Sequence, residues 1–102
     1  MKNTITVNGK RYVCKIWDLG KNHFDRFTVV FRSYRINGRL TTPYLGLSEN
    51  PFHPMGFGCH GEFDPYKGEK PGKHLGRRIT FESLPADCQK AIINDLTWKE
   101  TK

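Results

Sequence analysis

Apolar and polar positions alternate along two stretches of the chain, and each stretch is interrupted by an Asn-Gly pair. Residues 4–17 contain Asn8-Gly9, and residues 27–47 contain Asn37-Gly38. A period of two indicates strands, and Asn-Gly readily adopts the positive φ angles of a type I′ turn. Each stretch is therefore predicted to be a β-hairpin.

The C-terminal region changes to a helical period. Four apolar residues recur at every fourth position: Leu84, Cys88, Ile92 and Leu96. Because Pro85 suits a first turn, a helix is predicted over residues 84–98, with its apolar stripe packed on one face of the sheet. The β-rich run just before it, residues 77–81, predicts one more strand.

A long segment of different composition separates the second hairpin from that strand. Residues 48–76 hold most of the chain's ten glycines and most of its six prolines. Such a composition predicts one long loop without periodic structure. Loops longer than about 12 to 15 residues are uncommon in compact domains and are usually functional or disordered.

These elements predict an α+β fold: a small, mostly antiparallel sheet from two hairpins and one later strand, a long central Gly/Pro loop, and one C-terminal helix packed on the sheet. With 102 residues the chain is too short for two independent cores, so residues 1–102 are predicted to form a single domain. The sequence contains neither the ~20-residue apolar run of a membrane helix nor the apolar stretch of a signal peptide, which predicts a cytoplasmic protein with no membrane partner.

The formal net charge of +7 favours anionic partners, among them nucleotides and nucleic acid. One predicted strand and the turn after it combine cations with an aromatic ring, as base-stacking platforms do, at Arg32, Tyr34, Arg35 and Arg39. The alternative is an ordinary basic sheet face. No helix-turn-helix, zinc finger, KH or RRM signature is present.

The cysteines do not form the pattern of a disulfide framework. There are three, Cys14, Cys59 and Cys88, at wide spacing, so reduced thiols are expected and Cys14 and Cys88 are interpreted as core residues. His53, Cys59 and His60 are candidate zinc ligands by residue type, but their spacing matches no zinc signature. No metal and no cofactor is therefore predicted.

The first half of the central loop concentrates polar side chains between prolines and glycines: Ser48, Glu49, Asn50, His53, Cys59, His60 and Glu62. Prolines stiffen the backbone and glycines allow a ligand to approach it, which favours a preorganised binding loop. The alternative is a tightly folded connection held by its aromatic residues. A Cys59 nucleophile with His53 as base is not supported by composition alone, so no catalytic residue is assigned.

A third candidate lies near the end of the loop, where cations alternate with glycines: Lys70, Lys73, His74, Arg77 and Arg78, with Gly72 and Gly76. Backbone amides beside positive charge are the ingredients of a phosphate site, although the spacing is not that of a P-loop. In a strand, Arg77 and Arg78 point to opposite faces, so at most one of them can share a site with the central loop.

Four segments of the chain match sequence elements of a known group of proteins. They are Thr28 to Val30, Ser48 to Gly58, His74 to Ile79 and Leu84 to Leu96. They match a Thr-Val-Val strand, a Ser-Glu-x-Pro-x-His-Pro-x-Gly-x-Gly loop, a His-Leu-Gly-Lys/Arg-Arg-Ile segment and a Leu-Pro-led closing helix. In these the chain resembles a group of short proteins encoded by tailed phages and prophages, over about residues 24–96. The resemblance implies a phage or prophage origin and a host-cell cytoplasmic location, and it implies no activity.

The leading hypothesis is a non-enzymatic phage accessory protein that binds a phosphate-bearing ligand, such as a nucleotide signal of host defence. The ligand-binding residues predicted for it are Ser48, Glu49, Asn50, Phe52, His53, Phe57, His60, His74, Arg77 and Arg78. The alternatives are a module that inhibits a host protein, a basic nucleic-acid-binding protein, and a small hydrolase or nuclease using His53, His60 and Glu62. The oligomeric state is left open.

Overall fold

The computed structural model describes residues 3–21, 23, 25–53, 58 and 60–100, and the side chains of these residues except Lys99 and Glu100. The strands are β1 (Asn3–Val7), β2 (Lys10–Asp18), β3 (Phe27–Phe31), β4 (Tyr34–Ile36), β5 (Arg39–Leu47), β6 (His60–Phe63) and β7 (Arg77–Ile79). One helix, α1 (Ala86–Glu100), follows them, and three single 3₁₀ turns lie at Pro65–Lys67, Lys73–Leu75 and Phe81–Ser83.

All the strand pairs are antiparallel, and two long strands organise the sheet. On one edge of β2, β1 pairs with the first part of the strand and β7 with the last part; β3 pairs on the other edge. On one edge of β5, β4 pairs with the first part of the strand and β3 with the last part; β6 pairs on the other edge. The predicted α+β fold, with a small antiparallel sheet and a C-terminal helix, is therefore confirmed.

Both Asn-Gly turns have the predicted backbone. Asn8 and Asn37 have φ angles of 51° and 52°, and the glycines after them have φ angles of 80° and 79°. The first hairpin, β1–β2, forms as predicted, with Val7 paired with Lys10 across the turn. The second turn joins β4 to β5, whereas β3 pairs further along β5 as a separate ladder.

A bulge separates these two ladders. Tyr34 pairs with Thr41 and Val30 pairs with Tyr44, so the three residues 31–33 face only the two residues 42–43. One extra residue in a strand bends it and increases its twist. As a result, β4 does not continue the line of β3 beside β2.

The prediction that residues 48–76 contain no regular structure is wrong for β6, which pairs with Thr42–Leu45 of β5. Gly61 is the reason that this strand lacks an alternating pattern. It pairs with Tyr44, and a Cβ at this position would overlap the Tyr44 ring. A glycine is needed where a side chain would have shown the period of two.

The chain after the loop differs from the prediction only at its boundaries. β7 ends at Ile79 rather than residue 81, because the backbone turns there and the Asn3 side chain bonds to both Ile79 O and the Phe81 amide. The helix begins at Ala86 rather than residue 84. Its predicted stripe, Leu84, Cys88, Ile92 and Leu96, is buried against Ile16, Val29, Leu45 and other residues of one sheet face, as predicted.

Among the described residues, no helix is both long enough and apolar enough to cross a membrane.

Candidate functional site

The described residues at the start of the predicted binding loop form a local turn. Ser48 is buried, and its hydroxyl accepts a hydrogen bond from the Asn50 amide at 3.3 Å. The His53 amide donates to Asn50 O at 3.1 Å, while the Phe52 side chain is 53% exposed. Phe57 and Cys59, which belong to the same prediction, lie outside the described residues. The observed contacts therefore give residues 48–53 a defined turn.

His60 and His74 lie apart from each other. His60 Nε2 is 2.9 Å from Asp95 Oδ1, so His60 faces the helix. His74 instead lines a cavity of about 340 Å³ together with Tyr44, Phe63 and Lys70. Tyr44 alternates with the buried core residue Leu45, so this cavity lies toward the opposite sheet face. The two histidines do not converge on one ligand position.

The two arginines of β7 point to opposite faces, as predicted. Arg77 pairs with Asp18 of β2, and Arg78 pairs with Trp17. The Arg78 guanidinium lies over the Trp17 ring, 4.9 Å from its centroid. Its Nε and Nη2 atoms are buried without a hydrogen-bond partner. Stacking on the indole is the interaction that offsets the lost hydration of this cation.

Glu49 belongs to an ion-pair cluster centred on Arg26. Arg26 Nη1 is 2.7 Å from Glu49 Oε2, and its Nε is 2.8 Å from Asp18 Oδ1. The hydrogen bond from Arg26 lowers the pKa of Asp18 below its usual value of 3.8; burial opposes this effect, and the Gly20 amide adds to it. Arg77 Nη2 is 3.7 Å from the same carboxylate.

Two carboxylates therefore already compensate the cations of this cluster, which disfavours a phosphate there. The structure brings Glu49 and Arg77 into contact with the same cluster, whereas His74 lines a cavity with Tyr44 and Arg78 stacks on Trp17. Among the described residues, the predicted site residues therefore do not all contact one common position.

A different region of the sheet combines cations with aromatic rings. Where the bulge directs β4 away from β2, a cavity of about 420 Å³ opens. We call it the basic groove. Its lining consists of the cations Lys10, Arg11 and Arg32, the rings of Tyr12, Phe31 and Tyr34, and the apolar residues Val13, Pro43 and Leu96.

The rings of the basic groove are held by their neighbours. Tyr12 and Phe31 make an edge-to-face contact with centroids 6.3 Å apart, and Lys10 Nζ lies 5.2 Å from the Tyr12 centroid. Tyr34 is 42% exposed, and its hydroxyl donates a hydrogen bond to Glu62 Oε1 at 3.2 Å. Desolvation, together with the Glu62 carboxylate, raises the pKa of Tyr34, so the phenol stays neutral at physiological pH. A neutral, anchored ring is suited to stacking.

The charge of the groove distinguishes it from three of the neighbouring cavities. The residues that line it include three cations and no carboxylate among the described part of the chain. Three other cavities are each lined by Glu62, two of them also by Glu69. The basic groove is therefore the more favourable location for an anion.

Only two of the four residues predicted to form a basic, aromatic stacking platform line the basic groove. Arg32 and Tyr34 line the groove, but Arg35 bonds to Gly38 O, and Arg39 pairs with Asp64 and lies over Tyr66. The other cations and aromatic rings of the groove were not predicted from the sequence: Lys10, Arg11, Tyr12 and Phe31. The alternation within each hairpin indicated their faces, but it carried no signal that the two segments lie side by side.

No three His, Cys, Asp or Glu side chains within the described ranges are grouped so as to hold a metal ion. His53 and His60 lie within those ranges, whereas Cys59 lies outside them.

Comparison of the chain with known protein families, with curated proteins and with solved structures finds no match.

Proposed function

We propose that the protein binds a phosphate-bearing ligand, a nucleotide or a nucleotide unit of nucleic acid, in the basic groove. The observation that carries this proposal is the lining of one cavity by three cations and three aromatic rings, without a carboxylate among the described residues. Cations supply charge-assisted hydrogen bonds to phosphate oxygens, and aromatic rings offer faces on which bases stack. Small-molecule sites commonly measure about 300 to 1,000 Å³, a range that includes this groove.

The side chains divide into two roles. Lys10, Arg11 and Arg32 are exposed and would hold phosphate, with Arg32 able to engage two oxygens at once. Tyr34 would stack on the base, because it is the most exposed ring of the three and its hydroxyl is anchored to Glu62. No side chain is assigned a catalytic role, so the proposal is one of binding. The phage resemblance adds the hypothesis that such binding sequesters a nucleotide signal of host defence.

The test compares two exposed arginines that lie three residues apart. Nucleoside triphosphates are titrated into the wild type, Arg32→Gln and Arg35→Gln by isothermal calorimetry at low salt. Arg32 lines the groove, whereas Arg35 bonds to the turn at Gly38. Loss of a charge-assisted contact worth about 1.5 to 3 kcal/mol predicts a loss of affinity of about 10-fold to 150-fold for Arg32→Gln.

Arg35→Gln is the matched control, because it removes the same charge from the same segment of the chain. It is expected to change the affinity less than twofold. Equal losses in the two variants would show that only net charge matters, and the groove would then not be the binding site. If no triphosphate shows binding heat or a measurable affinity, the protein does not bind mononucleotides.

A further inference from the structure

A second cavity adjoins the basic groove and lies toward the other face of the sheet. This cavity, of about 280 Å³, is lined by Lys15, Val30, Thr42 and Pro71 among others. Both cavities share Val13, Phe31 and Arg32 as a common wall. Lys15 alternates with the core residues Cys14 and Ile16, so it projects from the face opposite the helix. Arg32 therefore stands at the junction of two adjoining spaces.

The strand pairing explains why the two cavities lie side by side. Within the described chain, residues 10–13 of β2 pair only with β1, and β4 pairs only with β5. No strand of the described chain pairs in the space between them, because β3 ends at Phe31 and the bulge moves β4 away. The sheet is consequently split at this end. The split places the two cavities next to each other, one toward each face of the sheet.

The second cavity repeats the charge of the first. Its described lining contains Lys15 and Arg32 and no carboxylate. Four cations, Lys10, Arg11, Lys15 and Arg32, thus follow the split from face to face. A mononucleotide seated in one cavity would leave the cation of the other without an anion. A series of cations along a groove, with stacking rings beside them, matches a ligand with repeated phosphates.

We infer that the ligand of the split is a single-stranded polynucleotide, whose backbone passes Arg32 and reaches Lys15. This inference rests on the proposed function and adds the ligand class to it. Unpaired bases can stack on Tyr34 and its neighbouring rings, whereas the bases of a duplex are already stacked on one another and are paired. The helix also gives no support for duplex binding, because among its described side chains Asp87 and Asp95 outnumber the one cation, Lys90.

The experiment measures how affinity depends on strand length. A fluorescein-labelled single strand of thymidylate is bound to the wild type and displaced, with anisotropy as the readout, by thymidine monophosphate, a dimer, a tetramer, an octamer and a duplex. Affinity is expected to rise by more than tenfold from the monomer to the octamer. The duplex is expected to compete more weakly than the octamer.

Three variants locate the strand. Lys15→Gln is expected to lower the octamer affinity more than the monophosphate affinity, and to reduce the slope of log K against log salt by about 0.7, the value for one phosphate contact on a single strand. Tyr34→Ala is expected to weaken octamer binding by about 5-fold to 150-fold, the range for loss of one stacked base. Tyr34→Phe keeps the ring but loses the hydrogen bond to Glu62, and it is expected to weaken octamer binding less than Tyr34→Ala. Arg35→Gln again serves as the control.

The outcomes separate this inference from the proposed function. If the monophosphate binds as tightly as the octamer, or if the duplex competes as well as the single strand, the ligand is not a single strand, although the groove still binds phosphate. If Lys15→Gln behaves like Arg35→Gln while Arg32→Gln weakens binding, the strand does not cross the sheet. If no nucleotide or strand binds, the proposed function itself fails.

Discussion

Gly76 packs closely against the backbone of β2, and its replacement by alanine is predicted to be strongly destabilising. Its φ and ψ angles are 109° and −150°, a conformation that is essentially restricted to glycine. A Cβ at this position would lie 2.5 Å from the Asp18 carbonyl carbon and 2.8 Å from the Leu19 Cα. Both atoms belong to the backbone, so no side-chain rotation can relieve the overlap.

The magnitude follows from two contributions. The backbone conformation costs a non-glycine residue about 1 to 3 kcal/mol. Forcing an extra carbon into a well-packed position costs about 1 to 3 kcal/mol more. Gly68→Ala is the matched control, because Gly68 also has a positive φ, 76°, but nothing lies within 4 Å of the added Cβ. Its expected cost is the strain alone, about 1 to 2 kcal/mol.

The assay is urea unfolding of the wild type and both variants, followed by circular dichroism. The free energy of unfolding is expected to fall by about 2 to 6 kcal/mol in Gly76→Ala and by about 1 to 2 kcal/mol in Gly68→Ala. If Gly76→Ala is already unfolded without urea, that result also agrees with the larger loss expected for Gly76→Ala, because small domains have only about 5 to 15 kcal/mol of stability. Equal losses in the two variants would refute the close packing of Gly76 on Asp18.

Two further predictions concern ionisable groups. Asp18 has a folded pKa below 3.8, so its stabilising contribution is complete above about pH 4 and is lost as the pH falls through the folded pKa. Asp18→Asn is therefore expected to lower the urea midpoint at pH 7, with a smaller further decrease by pH 3 than in the wild type. A parallel decrease in both proteins would contradict this. Burial raises the pKa of Cys14 and of Cys88 to about 11, so in Cys59→Ser neither thiol is expected to react with iodoacetamide at pH 8 until urea unfolds the chain. Mass spectrometry counts the alkylated thiols, and rapid labelling of the native protein would show that the burial is wrong.

The sequence by itself determined the elements whose signals are local. Asn8-Gly9 and Asn37-Gly38 specify their turns through the positive φ angles that these residues tolerate. The four-residue spacing from Leu84 to Leu96 specifies one apolar face of a helix, and that face is buried. Such signals can be recognised because the residues that produce them are neighbours along the chain.

The tertiary structure decided where strands that lack a regular pattern pair. β6 was missed because Gly61 occupies the position where Tyr44 needs space. The bulge at residues 31–33 was missed because an extra residue is visible only against the partner strand. Arg26 drew no attention in the sequence, yet it joins Asp18 to Glu49. None of these features can be read from one segment alone.

The candidate site illustrates the same division. The sequence identified Arg32 and Tyr34 as a cation beside a ring, and these two residues line the groove. Lys10, Arg11 and Tyr12 come from a different hairpin, some twenty residues earlier, and only the pairing of β2 with β3 brings them alongside. Residue type and period thus determined which side chains have suitable chemistry. Register and the bulge determined which of them meet, because both depend on contacts between segments that are distant in sequence.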